Sequence, residues 1–397
     1  MNRFGSVISL MMCGTIVWAE DWPHWRGPYR NGISAETGWL DQWPAGGPVI
    51  AWKTEVGTGF SSFAVAGGRV FTMGHASGAD TVFCLDADSG KLLWKHSYPS
   101  DLGDNLFEGG PCATPTLDGD RVFTLSRWGD VFCLDAASGK VHWSQNAQKE
   151  TGAPIPQWGF AGSPAVLGNL LLLNVGEAGV ALEKTTGKLL WHSAPKEAGY
   201  STPLPAGDFV IFSSAQAYIA GDPRSGKELW RVRWVTQYGC NAADPILSGN
   251  RLFISTGYSK GATLLKLDGE SPTEIWKSRV LRTQLNAGVL VGGHVYGMDG
   301  DTGHKGGLKC IELESGAEKW HQKDLGFGSV TVAGEKLIVL TDRGELLVAP
   351  VSPKGFQPTA RAKVLTGRCW TVPVLAHGRL YCRNAAGHVV CVDLRRK

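Results

Sequence analysis

The sequence predicts an all-β protein: an eight-bladed β-propeller of four-stranded antiparallel blades, its ring closed by the N-terminal strand joining the last blade. Three observations carry this expectation. A phrase of thirteen residues, Val82 to Trp94, returns along the chain, and a period of roughly 40–50 residues marks stacked or radial repeats. A glycine turn between two short apolar runs recurs eight times. The last unit lacks a fourth strand, while the N-terminal region holds an unattached one.

The phrase Val82-Phe83-Cys84-Leu85-Asp86 through Gly90 to Trp94 returns from Val131 to Trp143. It returns again ending at Trp191, Trp230 and Trp320, each four residues after Gly187, Gly226 and Gly316, and more loosely from Leu267 to Trp276. In the second unit, residues 113–117, 121–125, 131–134 and 140–143 read as four strands. They are β-branched or aromatic runs between Gly, Asp and Ser turns. The first-to-second-strand turn can be counted separately, at Gly68, Gly119, Gly168, Gly207, Gly249, Gly293, Gly334 and Gly378. Eight sheets of four strands describe a propeller, which leaves only short sheet edges.

Closure supports the count. The final unit stops at Val389-Val390-Cys391-Val392-Asp393, and Pro48 to Lys53 carries Trp52 on a spare strand. Residues near Trp52 are therefore expected to pair with residues near Cys391.

The repeat residues have structural tasks. Asp86, Asp135, Glu183, Asp222, Glu312 and Asp393 sit where a strand enters a turn, a position suited to accepting turn N–H groups. The glycine four before each Trp is expected at positive φ. Trp52, Trp94, Trp143, Trp191, Trp230, Trp276 and Trp320 are expected to pack between blades, each indole N–H on a backbone carbonyl. The seventh unit is degenerate, with Ala349-Pro350-Val351-Ser352-Pro353 in place of the motif.

Composition narrows the partners. Of 397 residues 19% are charged, and the net charge is +3 with both signs interspersed. No basic block exists to track phosphates, so the pattern argues against nucleic acid. The N-terminus reads as a secretory signal: Arg3, an apolar run from Val7 to Val17, then Val17-Trp18-Ala19 before a cleavage point at Glu20. That run is too short for a transmembrane helix. The alternative is a lipoprotein acylated at Cys13. The expected organisation is a signal peptide over 1–19, an N-terminal extended segment over 20–47 and the propeller over 48–397, exported to the periplasm or cell surface. Eight cysteines remain beyond Cys13. Cys84, Cys133, Cys310 and Cys391 recur inside apolar strands, as buried thiols would. Cys382 and Cys391 flank a turn, which leaves a hairpin disulfide as the alternative, although neighbouring-strand geometry is awkward for one.

The pattern x-L-D-x-x-[ST]-G-K-x-x-W resembles the repeat of pyrroloquinoline-quinone (PQQ) propellers. That superfamily includes quinoprotein alcohol dehydrogenases and the propeller lipoprotein of the outer-membrane β-barrel assembly machinery. The opening Asp21-Trp22-Pro23-His24-Trp25-Arg26-Gly27-Pro28 resembles the start of exported PQQ-like propellers. The resemblance implies the fold over residues 48–397 and leaves function open, because the motif is structural. Quinoprotein dehydrogenases usually carry adjacent cysteines over the cofactor. This chain has no Cys-Cys pair, and its connections are short.

In a propeller, a site would lie at the channel mouth, where the innermost strands begin. Residues just ahead of those strands include Glu108, Asn241, Asp244 and Asn286, candidate oxygen ligands for calcium. They also include Trp158, Tyr200 and Trp370, candidate stacking platforms. The bland alternative is that these side chains tile a wet channel mouth. Gly257-Tyr258-Ser259-Lys260-Gly261 matches a nucleophile-elbow pattern but joins two strands, so it reads as a hairpin turn. Asp299-Gly300-Asp301-Thr302-Gly303-His304 lacks the spacing of a calcium loop.

The residues favour a non-catalytic binding or scaffold module for protein partners on a loop face. The alternatives are a PQQ-dependent dehydrogenase using calcium, with PQQ and calcium as cofactors, and a carbohydrate- or small-ligand-binding propeller.

Overall fold

The structure is a computed structural model that describes residues 19–300 and 306–396. Cys13 and the expected signal segment up to residue 18 lie outside the described residues, as does the loop at 301–304. The described chain forms eight sheets around a common axis. Seven hold four strands, and the seventh blade holds five. In blade 2 the strands are Thr116–Asp118, Arg121–Leu125, Asp130–Asp135 and Val141–Asn146, antiparallel and in chain order from the axis outward. The other blades repeat this plan. The one α-helix among the described residues is Ala147–Thr151.

The ring closes as the sequence predicts. Val49–Glu55 is the outermost strand of blade 8, antiparallel to His388–Asp393, and Trp52 lies opposite Cys391. First and last parts of the chain thus share one sheet, so no blade edge is left to slip at the seam.

Repetition in sequence becomes repetition in contacts. The Trp94 indole donates to the carbonyl of Ala136 in the next blade at 3.0 Å, and Trp143 to that of Lys184 at 3.0 Å. The turn glycine of the next blade lies flat on each ring. Gly139, at φ +73°, would put a Cβ 2.5 Å from the Trp94 ring, and Gly187 one 2.6 Å from Trp143. The acids at the strand ends cap their own turns: Asp86 accepts from the Ser89 N–H and hydroxyl at 2.8 and 2.6 Å, and Asp135 and Asp222 do the same with Ser138 and Ser225. These hydrogen bonds favour the ionised form and hold the three carboxyls below their ordinary range. The acids are spread one per blade.

The junction of blades 4 and 5 departs from the pattern. In blade 5 the turn is Asp268-Gly269-Glu270-Ser271-Pro272. Gly269 meets no neighbouring ring, and no acceptor among the described residues faces the Trp230 indole N–H. Trp143→Phe is therefore expected to cost about 1 kcal/mol, the worth of a neutral hydrogen bond, while Trp230→Phe costs close to nothing. Paired denaturant titrations of the two variants check this.

The eight described cysteines are free thiols. The alternative disulfide does not form. Cys382 pairs in register with Val390 and Tyr381 with Cys391, so successive side chains put the two sulfurs on opposite faces of blade 8. Burial pushes the Cys84 and Cys391 thiols up to about 12.

Residues 20–47 do more than lead into the ring. Trp22 exchanges two backbone hydrogen bonds of 2.7 Å with Val65 of blade 1, and Pro23 accepts from the Leu117 N–H of blade 2. Arg30 reaches the Val166 carbonyl of blade 3, and Arg26 the Ala287 and Gly288 carbonyls ahead of blade 6. Ile33–Ser34 then adds a parallel strand to the inner edge of blade 7. Glu36 accepts the His377 and Gly378 N–H groups of blade 8. Trp22 to Ser34 is a plug in the central channel, with Trp22 2% and Arg26 7% exposed, while Trp43 further on donates to the Arg361 carbonyl on the outermost strand of blade 7.

Candidate functional site

Above the plug, on the side where the innermost strands begin, lies a cavity of about 710 Å³. Its floor is Trp25, whose indole N–H donates to Asp244 at 2.5 Å. The same carboxylate accepts the Thr202 N–H at 2.8 Å and faces Arg26 at 3.9 Å. Burial raises the Asp244 carboxyl, while Arg26, Trp25 and Thr202 pull it back; burial lowers the Arg26 guanidinium.

Two aromatic walls rise from this floor. One comes from blades 3 to 5. Trp158 meets Tyr200 at 5.8 Å and the edge of Tyr238 at 6.1 Å, and Tyr238 meets Tyr258 at 5.6 Å. The other comes from blades 8, 1 and 2, across the ring. Phe60 stacks on Trp370 at 5.5 Å with ring planes 27° apart, and Phe107 leans on Phe60 at 5.4 Å. Such ring pairs add roughly 0.5–1.5 kcal/mol each beyond area burial, so the walls are fixed before anything binds.

Local chemistry holds the loops that carry these rings. Arg127 is 1% exposed and donates to the Leu102 and Gly110 carbonyls at 3.2 and 3.3 Å, tying down both ends of the loop that presents Leu106 and Phe107. Its guanidinium also sits 5.7 Å from the Phe107 ring centre. Arg368 lies 4.3 Å over Trp370 and pairs with Glu108 at 2.7 Å. Tyr258 occupies the hairpin turn between Arg251–Thr256 and Gly261–Lys266, so the nucleophile-elbow pattern is a turn, with Tyr258 and Ser259 at φ +50° and +58°.

Of the residues singled out from the sequence, Trp158, Tyr200, Asp244, Asn286 and Trp370 line the cavity. Glu108 does not line it but pairs with Arg368, which does. Asn241 is fully buried away from it. Its amide donates to the Ser214 and Trp234 carbonyls at 2.9 and 2.8 Å and accepts from Thr236 at 3.2 Å, which makes it a loop brace. Sequence reasoning missed Trp25, Leu106, Phe107, Tyr238, Tyr258 and Arg368 as lining residues. The available signal was aromatic residues in loops that the repeat does not require.

These residues do not fit calcium. Both Asp244 oxygens are engaged by Thr202 and Trp25, with Arg26 beside them. Glu108 is neutralised by Arg368, and the Asn286 Nδ2 donates to the Trp370 carbonyl at 2.9 Å, which leaves one neutral amide oxygen as the ligand it could offer. Asn241 lies elsewhere. Among the described residues no three His, Cys, Asp or Glu side chains cluster as metal ligands do, and Asp299 of the dismissed loop is held by Arg282 and Lys309. A hard cation needs six or more oxygens, and both carboxylates here are already paired.

His24, under the floor, supplies a pH prediction. Burial and the nearby Arg30 lower its pKa from 6.5 to about 4. The folded state therefore favours the neutral ring. This contribution is complete above the unfolded value of 6.5 and is lost as pH falls towards 4. Between pH 7 and 5 the native state is expected to lose about 1–2 kcal/mol through this residue. Melting curves across that range should flatten in His24→Gln.

Similarities to known proteins agree with this architecture. The profile of the family described as outer membrane protein assembly factor BamB matches residues 7–112, 103–322 and 215–397. BamB of Shewanella oneidensis is 25% identical over 321 residues, 75% of this chain and 67% of that one. The crystal structure of BamB from Moraxella catarrhalis superposes with a TM-score of 0.66 at 16% identity, covering 87% of this chain and 99% of that one. The quinohemoprotein alcohol dehydrogenase of Comamonas testosteroni superposes at 0.69 with 15% identity, covering 95% and 81%. At such identities the superpositions speak to fold alone. The family profile spans nearly the whole chain, and with the closed eight-bladed ring and its Trp motif it establishes that this chain belongs to the BamB-like family of PQQ-repeat β-propellers.

Proposed function

We infer that this protein is a non-catalytic binding propeller that docks a protein partner on the loop face around the channel mouth. The observation that carries this reading is the rim of the cavity. Leu106 is 84% and Tyr238 54% exposed, both on the border of the aromatic walls. Both hold left-handed backbone, at φ +67° and +61°, a conformation that costs a non-glycine residue of order 1 kcal/mol or more. Apolar side chains held in water on strained backbone gain from a partner that covers them. Kinship with an assembly factor supports a protein as that partner. The same kinship and the N-terminal sequence support a periplasmic location.

The test places a photo-crosslinking residue at Leu106 or Tyr238, and for comparison at Leu93 or Leu229 on the outer strands, which are also exposed. A discrete protein adduct confined to the mouth positions is expected. Adducts spread equally over both sets, or none at the mouth, would sink the reading. The dehydrogenase alternative is checked by titrating the protein with PQQ and calcium in a dye-linked alcohol oxidation assay. Absence of turnover is expected; saturable cofactor-dependent turnover would replace the scaffold reading.

A further inference from the structure

We propose that the cup beneath the rim binds a short, uncharged oligosaccharide. The inference takes the mouth as the working face but concerns the cavity itself, whatever protein sits on the rim. Its size falls in the range of ligand pockets, about 300–1,000 Å³.

Charge selects the ligand first. The ionised side chains in the lining are Asp244 and Arg368, and each faces an opposite charge: Arg26 at 3.9 Å and Glu108 at 2.7 Å. A charged ligand entering the cup would be desolvated without an unpaired counter-charge to meet it, which is costly. A neutral one escapes that penalty.

Shape selects next. Trp158 stands in one wall with Tyr200 tilted against it and the edge of Tyr238 towards it, while the Trp370 ring of the other wall is already covered by Phe60 and Arg368. The face of an aromatic ring carries partial negative charge, so it attracts the polarised C–H groups on the apolar face of a pyranose. Trp158 therefore suits the apolar face of a sugar ring, which a chain of such rings presents at each unit.

The polar lining completes the match. Gln157 and Gln237 bring carboxamides to the cavity, and Tyr200, Tyr238 and Thr202 bring hydroxyls. Gln157 and Gln237 are exposed, and neither has a side-chain partner among the described residues. A carboxamide offers two donors and an acceptor side by side. Neighbouring sugar hydroxyls, each donor and acceptor at once, pair with that pattern. A purely apolar ligand would leave these groups unmatched, and a cation would lack a free carboxylate.

The test is intrinsic tryptophan fluorescence with calorimetry on the mature chain. The probes are cello-, xylo-, manno- and malto-tetraose, with tetra-galacturonate as the acidic counterpart. At least one neutral tetraose is expected to bind saturably with a Kd below about 10 mM, and the acidic one at least about tenfold more weakly. Trp158→Ala and the exposed Gln237→Ala should each weaken that binding by about tenfold or more, with melting temperature and circular dichroism unchanged for Gln237→Ala. Trp230→Phe, on the outer strand of blade 4, should bind as the unaltered chain does. The proposal is overturned if no neutral tetraose saturates, if the acidic one binds as tightly, or if Gln237→Ala and Trp158→Ala both bind normally. Mouth-specific protein adducts would survive any of these results, so failure here is distinguishable from failure of the docking reading.

Discussion

Arg26→Ala is expected to destabilise the folded protein by about 3–5 kcal/mol, the cost of removing one member of a buried charged pair. Arg26 is 7% exposed and sits in the channel. Its guanidinium donates to the carbonyls of Arg30, Asn31, Ala287 and Gly288, at 3.3, 3.0, 3.3 and 3.0 Å. The charge faces Asp244 at 3.9 Å. Truncation orphans the carbonyls and leaves Asp244, itself 8% exposed, without its counter-ion. It also cuts the link between the plug and blades 5 and 6. For a chain of this length that loss corresponds to roughly 5 °C in Tm. Arg26→Ala combined with Asp244→Asn should cost less than the sum of the two, because neither then leaves a lone buried charge. Urea denaturation of the four proteins measures the coupling. Additive losses would mean that the pair is not a unit.

Gly74→Ala is expected to cost about 3 kcal/mol, at the upper end for overpacking. Gly74 lies in Arg69–Ala76, the second strand of blade 1, where a Cβ would overlap the carbonyl oxygen of Val56. Val56 directly follows the strand that closes blade 8, and its N–H donates to the Gly387 carbonyl at 2.9 Å. Backbone on one side and backbone on the other cannot yield as a side-chain rotamer would. A single methyl group therefore wedges blade 1 from blade 8 at the seam of the ring. Gly119→Ala serves as comparison: that turn glycine, at φ +60°, meets nothing within 4 Å, so only its backbone strain counts. Its expected cost is about 1 kcal/mol. Denaturation midpoints should separate the two clearly; equal losses would mean that the seam has slack.

The blades were legible because each repeats the same local solution. Asp135, Gly139 and Trp143 recur at fixed offsets, and a repeated offset states both the turn and what covers the ring. Even the exceptions were visible: the degenerate seventh unit keeps its sheet, and the Ser352 carbonyl still accepts from Trp320 at 2.8 Å. The site was half legible. Topology alone puts the residues ahead of each innermost strand at the mouth, which found Trp158, Tyr200 and Trp370. It could not tell which side chains turn inward, and Asn241 turns into its own loop. Tyr258 was hidden because a hairpin turn explained its phrase fully. Nor was the plug legible. Trp22 to Glu36 occurs once, without periodicity, and its partners lie on seven separate blades.

That plug has a consequence in time. Arg26 finds its carbonyls 261 residues downstream, and Glu36 its N–H partners 341 residues downstream. Contacts this remote in sequence pay their loop-closure entropy last and make folding slow. Arg26 and Glu36 must therefore wait for these partners until the later blades exist. The ring is then sealed in a late step that seats Arg26 and Glu36 together. A refolding experiment should show blade formation first, with burial of Trp25 against Asp244 arriving as a separate, slower phase.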